Sequence, residues 1–406
     1  MFIINDSGYQ SKKYAIFFLC YGNDYYIMGL LCALQAHGKL LEKSPQSIEL
    51  VVLCDEYINN YRPYIAEYCD RIIVIKMDIL SEHHKLYKAE KYAKKWMDAI
   101  INKWHCLYFE EYKKVLLSDI DILPTNSVIY DIFTKYEEPY MFGCRKFSGC
   151  AETIYYGSLP NRNFKDYYDY VANGNFFIDG GFALFTPNKT YHDEYFDFVQ
   201  TIDVLSMKSV GQRYSGIDEI TIYYFLVHIK KVTYNCFQES DTAVIPWKTN
   251  YGCANMNRIM NKIKRTSLFN YLSTVKPFIK PIPLMWREEY IWKILERDII
   301  SGSPFLKALS IRNALYCYLY LNTRQEASLE IIKKNNQFNI INFIKKLTKE
   351  MSLTDPVFDH RAYQAISSSE EKLLSYKDQL NLLNGDADIV NECCGLIKKE
   401  QYRSLF

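Results

Sequence analysis

No stretch of this 406-residue chain runs long enough without charge to cross a membrane, since a spanning helix needs about 20 apolar residues in a row. The opening run Met1-Phe2-Ile3-Ile4 is too short for a signal peptide. The chain is therefore expected to be cytoplasmic, with the glycosylation sequons at Asn5 and Asn188 unused. A basic excess is missing too: 49 Lys and Arg against 47 Asp and Glu leave a net charge of +2. That argues against a broad groove for nucleic acid, which shows as surplus positive charge. The 12 cysteines lack the short repeated Cys/His spacings of a zinc site. Cys20, Cys32 and Cys54 fall in apolar runs and read as small, reduced core residues. Gly-x-Gly-x-x-Gly does not follow the first strand, where the chain has Gly22-Asn23-Asp24-Tyr25-Tyr26. With a P-loop also missing, a nicotinamide dehydrogenase and a P-loop NTPase are set aside. No internal repeat is visible.

What is there is an apolar half, 49% of residues, enough for a large core. Tyr14 to Tyr21 is a continuous apolar run of strand length, followed by a turn at Gly22-Asn23-Asp24 and helical spacing from Tyr26 to His37. Ile48 to Cys54, Arg71 to Ile75 and Lys114 to Ser118 repeat the strand pattern. A polar helix is expected near residues 57–69 and another from about 85 to 112. Buried strands alternating with helices predict an α/β fold with a parallel sheet covered on both faces. In such sheets ligands bind beyond the carboxyl ends of strands, which directs attention to the loops after Tyr21 and Ser118. Residues 140–176, rich in Gly, Asn and Tyr, read as loop with one short helix. Phe182 to Thr186 is another strand, stopped by Pro187. From about residue 288 the pattern turns helical, so the domains expected are 1–294 and a helical extension over 295–406.

Asp119-Ile120-Asp121 directly follows the apolar strand ending at Ser118. On an extended strand end, carboxylates at i and i+2 point the same way. Such a pair holds a divalent ion by hard oxygen ligands, and the ion bridges a diphosphate. Asp-x-Asp arises by chance about once in a chain of this length. A second copy, Asp386-Ala387-Asp388, shows as much: it follows Asn384-Gly385 in a polar tail with no strand before it. It reads as a solvated turn or helix cap.

The context of the first copy carries a resemblance. Lys103, His105 and Cys106, then Tyr112 and Lys114, then Asp119 and Asp121 are similar to the segment leading to the metal-binding pair of the family 8 glycosyltransferases, the glycogenin and galactinol synthase group. Further pieces resemble the family in the same order, over roughly residues 14–295. They are Asn23-Asp24 with Tyr26 and Gly29, Asp179-Gly180-Gly181-Phe182, Asp218-Glu219, and Asn270 through Ser273 to Lys276-Pro277-Phe278.

The resemblance implies a GT-A type Rossmann-like sandwich. It also implies metal-dependent transfer of glucose or galactose from a UDP-sugar, with retention at the anomeric carbon. Asn23 and Tyr26 would contact the uracil and ribose, with Cys20 and Gly22 lining that pocket. Asp119 and Asp121, flanking Ile120, would hold Mn²⁺ or Mg²⁺ with Asn270 as third ligand. Asp179, Gly180, Glu219 and Ser273 would line the donor site. Asp218 would orient sugar and acceptor, Lys276 would meet the diphosphate, and Lys103 would contact the donor; these three form the expected catalytic set. The chain departs from the family at Asn270 (histidine there), Ser273 (glycine), Phe278 (tryptophan), Asp179 (asparagine) and Glu219 (glutamine). An amide oxygen is a poorer transition-metal ligand than imidazole. That leaves an inactive sugar-nucleotide-binding scaffold as the alternative. The acceptor, whether glycan, protein or small molecule, is not specified, and a homodimer is compatible with the sequence. His105 reads as a core-packing residue.

Overall fold

The computed structural model describes residues 2–3, 12–22, 24–78, 99–144, 178–202, 217–237, 243–245, 268–271 and 290–303, with 305, 306, 309, 310 and 313. Asn23, Ser273, Lys276, the 386–388 tripeptide and the amphipathic stretch 327–351 lie outside them. The strands are β1 (Phe2–Ile3), β2 (Tyr14–Cys20), β3 (Ile48–Cys54), β4 (Arg71–Ile75), β5 (Lys114–Ser118), β6 (Ile122–Pro124), β7 (Tyr140–Cys144), β8 (Ile178–Phe185), β9 (Tyr234–Cys236), β10 (Ala243–Ile245) and β11 (Leu268–Tyr271). The longer helices are α1 (Ile27–Leu41), α2 (Lys189–Thr201), α3 (Ile217–Tyr223) and α4 (Tyr290–Ser301).

The chain divides into two compact units. The first comprises Met1–Leu19, Ser44–Asp119 and Ser127–Thr242. Its sheet has the order β1-β4-β3-β2-β5-β8-β7-β9. The pairs β3/β4 and β2/β5 are parallel, as the apolar runs predict. Every residue of β3, β4 and β5 is buried, which is why those runs lack the alternation of a one-sided strand. The other half of the sheet is mixed: β8 runs antiparallel to both β5 and β7, and β7 is parallel to β9. Residues 140–144, expected as loop, are therefore an inner strand. The register of β7 on β8 also breaks: Phe142 faces Ala183, but the next residue, Gly143, faces Asp179.

A 3₁₀ segment, Ile100–Tyr108, replaces the end of the helix expected over 85–112. Its Ile101, Trp104, Cys106 and Leu107 belong to the core, with Phe185 of β8 and Phe196 of α2. The polar helix expected over 57–69 is two single turns, Glu56–Asn59 and Arg62–Ile65; the first is capped by the Asp55 side chain, the second has Pro63 near its start.

The second unit comprises Cys20–Lys43, Ile120–Asn126 and Ala243–Phe406. Helix α1 buries most of its length, including His37. Burial pushes the His37 imidazole down to about 3, so it is neutral. Lys39 of α1 pairs with Asp298 of α4 at 3.2 Å. A small sheet has the order β10-β11-β6, with β11 antiparallel to β6. Cys20, Cys32, Cys54, Cys69 and Cys106 are free thiols. Burial, with Asp55 nearby, pushes Cys54 up to about 12, which fits a reduced core residue. Among the described residues no helix is long and apolar enough to cross a membrane.

Candidate functional site

Lys103 is the centre of the first unit's polar core. It sits on the 3₁₀ segment and is only 3% exposed. An ammonium has three N–H donors, and here each has an acceptor. Asp218 Oδ2 lies at 2.8 Å, Asp119 Oδ1 at 3.2 Å and the Gly180 carbonyl at 3.2 Å. Burial by itself lowers a lysine pKa. Here the charges of Asp119 and Asp218, the hydrogen bond to Asp218 and the charge of Glu219 outweigh it, so the lysine is held above its ordinary value and stays charged.

The partners arrive from three other segments. Asp119 follows β5, and its backbone N–H donates to the Gly181 carbonyl at 2.7 Å. Asp218 and Glu219 lie in the first turn of α3. Both are buried. The Gly180 N–H donates to Glu219 Oε1 at 2.9 Å. Position 180 favours glycine: a Cβ there would enter the van der Waals envelope of Glu219 Cγ and sit 3.2 Å from Asp218 Oδ2, so Glu219 would have to shift. The Trp104 indole N–H donates to the Asp218 carbonyl at 3.1 Å. Thr221 adds a hydroxyl bond to the same carbonyl, and Tyr195 lies 2.8 Å from Thr221 Oγ1. Trp104, Thr221 and Tyr195 escaped the sequence reading. A Trp beside Lys103 and a Thr one turn after Asp218 were the only signals, and both also fit ordinary core positions.

The structure thus brings together Lys103, Asp119, Gly180, Asp218 and Glu219. It corrects the geometry expected for the Asp-x-Asp pair. Strand β5 ends at Ser118, and Ile120 and Asp121 form a turn into β6 rather than an extended strand end. The two carboxylates accordingly differ: the Asp119 side chain is 41% exposed, whereas Asp121 is 7% exposed.

In the second unit, β6 pairs with β11 so that Ile122 faces Asn270. The backbone of the third expected ligand is therefore across from the residue after Asp121. Among the described residues no group of three His, Cys, Asp or Glu side chains is placed to hold a metal. A set of Asp119, Asp121 and Asn270 offers oxygen donors only, a chemistry that fits Mg²⁺ or Mn²⁺ and not zinc. Of the expected nucleotide contacts, Cys20 is buried and Tyr26 half-buried. Gly22 is exposed at the end of β2 with φ +68°, a left-handed turn that glycine adopts without strain. Ile120 is half-buried. Asp179 lies on β8 opposite Gly143.

No protein-family model matches this chain. None of the curated proteins matches it either. Solved structures do. The galactosyltransferase LgtC, in complex with donor and acceptor sugar analogs, is 14% identical with a TM-score of 0.43, over 69% of this chain and 94% of LgtC. The glycosyltransferase GlyE of Streptococcus pneumoniae TIGR4 is 15% identical with a TM-score of 0.38, over 72% of this chain and 64% of GlyE. Mouse xyloside xylosyltransferase 1 is 9% identical with a TM-score of 0.37, over 64% of this chain and 97% of the mouse protein. At TM-scores below 0.5, the chemistry has to be read from the residues themselves.

Proposed function

We propose that this chain is a GT-A type glycosyltransferase that moves glucose or galactose from a UDP-sugar to an acceptor, with retention at the anomeric carbon. The observation that carries this reading is the Lys103 node. It gathers residue 103, Asp119, Gly180 and the Asp218-Glu219 pair from segments spread over more than a hundred residues. These are the segments that resemble the sugar-nucleotide transferases of family 8.

In this reading Asp218 has the role that the resemblance implies, orienting the sugar and the acceptor. Lys103 is a positioning residue. Enclosed and fully bonded, it fixes the directions of Asp119 and Asp218 rather than meeting the donor itself. Glu219 holds the Gly180 backbone in place. Asp119, Asp121 and Asn270 are the residues that would hold Mn²⁺ or Mg²⁺, and the ion would supply Lewis-acid relief of charge on the UDP leaving group. Lys276 adds a second positive charge to the diphosphate, and Asn23 and Tyr26 take the uracil and ribose. The acceptor is a glycan, a protein or a small molecule.

The test is UDP release from UDP-glucose and UDP-galactose by the full chain with Mn²⁺, since transferases leak to water when no acceptor is present. Release from one of the two sugars is expected. Asp121→Asn should cut it by roughly 100-fold, the scale of losing one charge-stabilising group. UDP binding with no release from either sugar would replace this reading with the sugar-nucleotide-binding scaffold.

A further inference from the structure

A second buried polar chain runs through the first unit, and its hydrogens can be counted. Asn102 is fixed by backbone groups. Its amide nitrogen donates to the carbonyls of Asp78 and Ala99 at 2.8 and 2.7 Å, and its Oδ1 accepts from the Asp78 N–H at 2.9 Å. That Oδ1 also lies 3.1 Å from His105 Nε2, so His105 Nε2 must carry a hydrogen. His105 Nδ1 is 2.8 Å from His192 Nε2, a contact that needs one hydrogen between two nitrogens. His192 Nδ1 is 2.7 Å from Asp193 Oδ1. An ionised carboxylate only accepts, so His192 Nδ1 must carry a hydrogen as well.

Three hydrogens are required, and two neutral imidazoles supply two. We propose that His105 and His192 form a single-proton site, in which one added proton is shared along the central nitrogen–nitrogen contact and clasps Asp193 to His192. Without that proton, the two buried contacts survive only if His192 Nε2 donates inward. Its Nδ1 then faces the Asp193 carboxylate bare. The Asp193 side chain is 60% exposed, so it is the partner that turns away into water.

The surroundings pull both ways. Burial pushes each imidazole, taken alone, toward its neutral form, and a charge on His192 opposes one on His105. The carboxylates of Asp193 at 2.7 Å and of Asp78, 3.9 Å from His105 Nε2, favour it. Phe196 stacks on His105 with ring centroids 4.1 Å apart, and Tyr108 meets His192 edge-on. These rings pack against the two imidazoles and lower the local polarity, which strengthens a shared hydrogen bond. The site does not depend on the sugar-transfer reading.

The experiment is a titration of the histidine ring nitrogens in the ¹⁵N-labelled full chain between about pH 5 and 8, the window in which imidazole charge changes. His105→Gln and His192→Gln spectra assign the two rings. The expected result is one proton taken up jointly, with both rings moving at a single midpoint. Asp193→Asn, at an exposed position, should lower that midpoint by roughly one pH unit, the effect of removing an adjacent opposite charge. Rings that titrate separately, a midpoint indifferent to Asp193→Asn, or no uptake across the range would each overturn the proposal.

Discussion

Lys103 and His105 stand two residues apart on the same short 3₁₀ segment, yet they solve the burial of a polar group in opposite ways. Lys103 is surrounded by permanent charge of the other sign, so its proton is never in question. Its pKa is raised, so its stabilising contribution is complete below the ordinary lysine value and is lost only as pH climbs through the higher folded value. Across neutral pH it is constant. The His105–His192 pair is surrounded by acceptors, and its state depends on one proton. The lesson is that one segment of backbone serves both a rigid and a titratable centre, because neighbouring side chains leave a 3₁₀ turn in different directions.

The largest change should come from removing the charge at the rigid centre. Lys103→Met leaves Asp218 and Asp119 facing each other without a cation, and a buried pair stripped of one partner loses about 3–5 kcal/mol. Chemical denaturation measures it; a loss under about 1 kcal/mol would reduce the node to the worth of a surface pair. A smaller effect, about 1–3 kcal/mol, is expected for Gly180→Ala, which overpacks against Glu219. Combining it with Glu219→Ala should give less than the sum of the two single losses, because the added methyl then has room. Of the same order is Trp104→Phe, which removes one hydrogen bond to the Asp218 carbonyl and part of a fully buried ring and should cost about 1–3 kcal/mol. If the two centres are independent, Trp104→Phe leaves the histidine midpoint where it was, and a shift would show them to be coupled.

The sequence announces the strands that are buried on both faces. Ile48–Cys54, Arg71–Ile75 and Lys114–Ser118 coincide with their apolar runs to the residue. It conceals β7, whose Gly143 and neighbouring tyrosines read as loop, and β6 and β10, which at three residues each have no period to detect. Asp119, Asp218 and Lys103 were legible individually, because a resemblance named them. Their mutual pairing was not, since Lys103 and Asp218 lie 115 positions apart and no local pattern records a contact at that distance. The turn at Ile120-Asp121 was missed for the converse reason: an apolar residue between two aspartates looks like strand, and only the departure of β6 toward β11 reveals otherwise.

The register break between β7 and β8 has a further consequence. Where Phe142 faces Ala183 and Gly143 faces Asp179, the peptide groups of residues 180–182 are skipped by β7. An unbroken ladder would have consumed the amide and carbonyl of Gly180 in holding two strands together. The skip leaves them over, and the carbonyl goes to an ammonium while the amide goes to a carboxylate. Shortening β8 by the skipped residues would therefore mend the sheet and disarm the centre. A gain in strand pairing would be matched by the loss of whatever chemistry Lys103 supports.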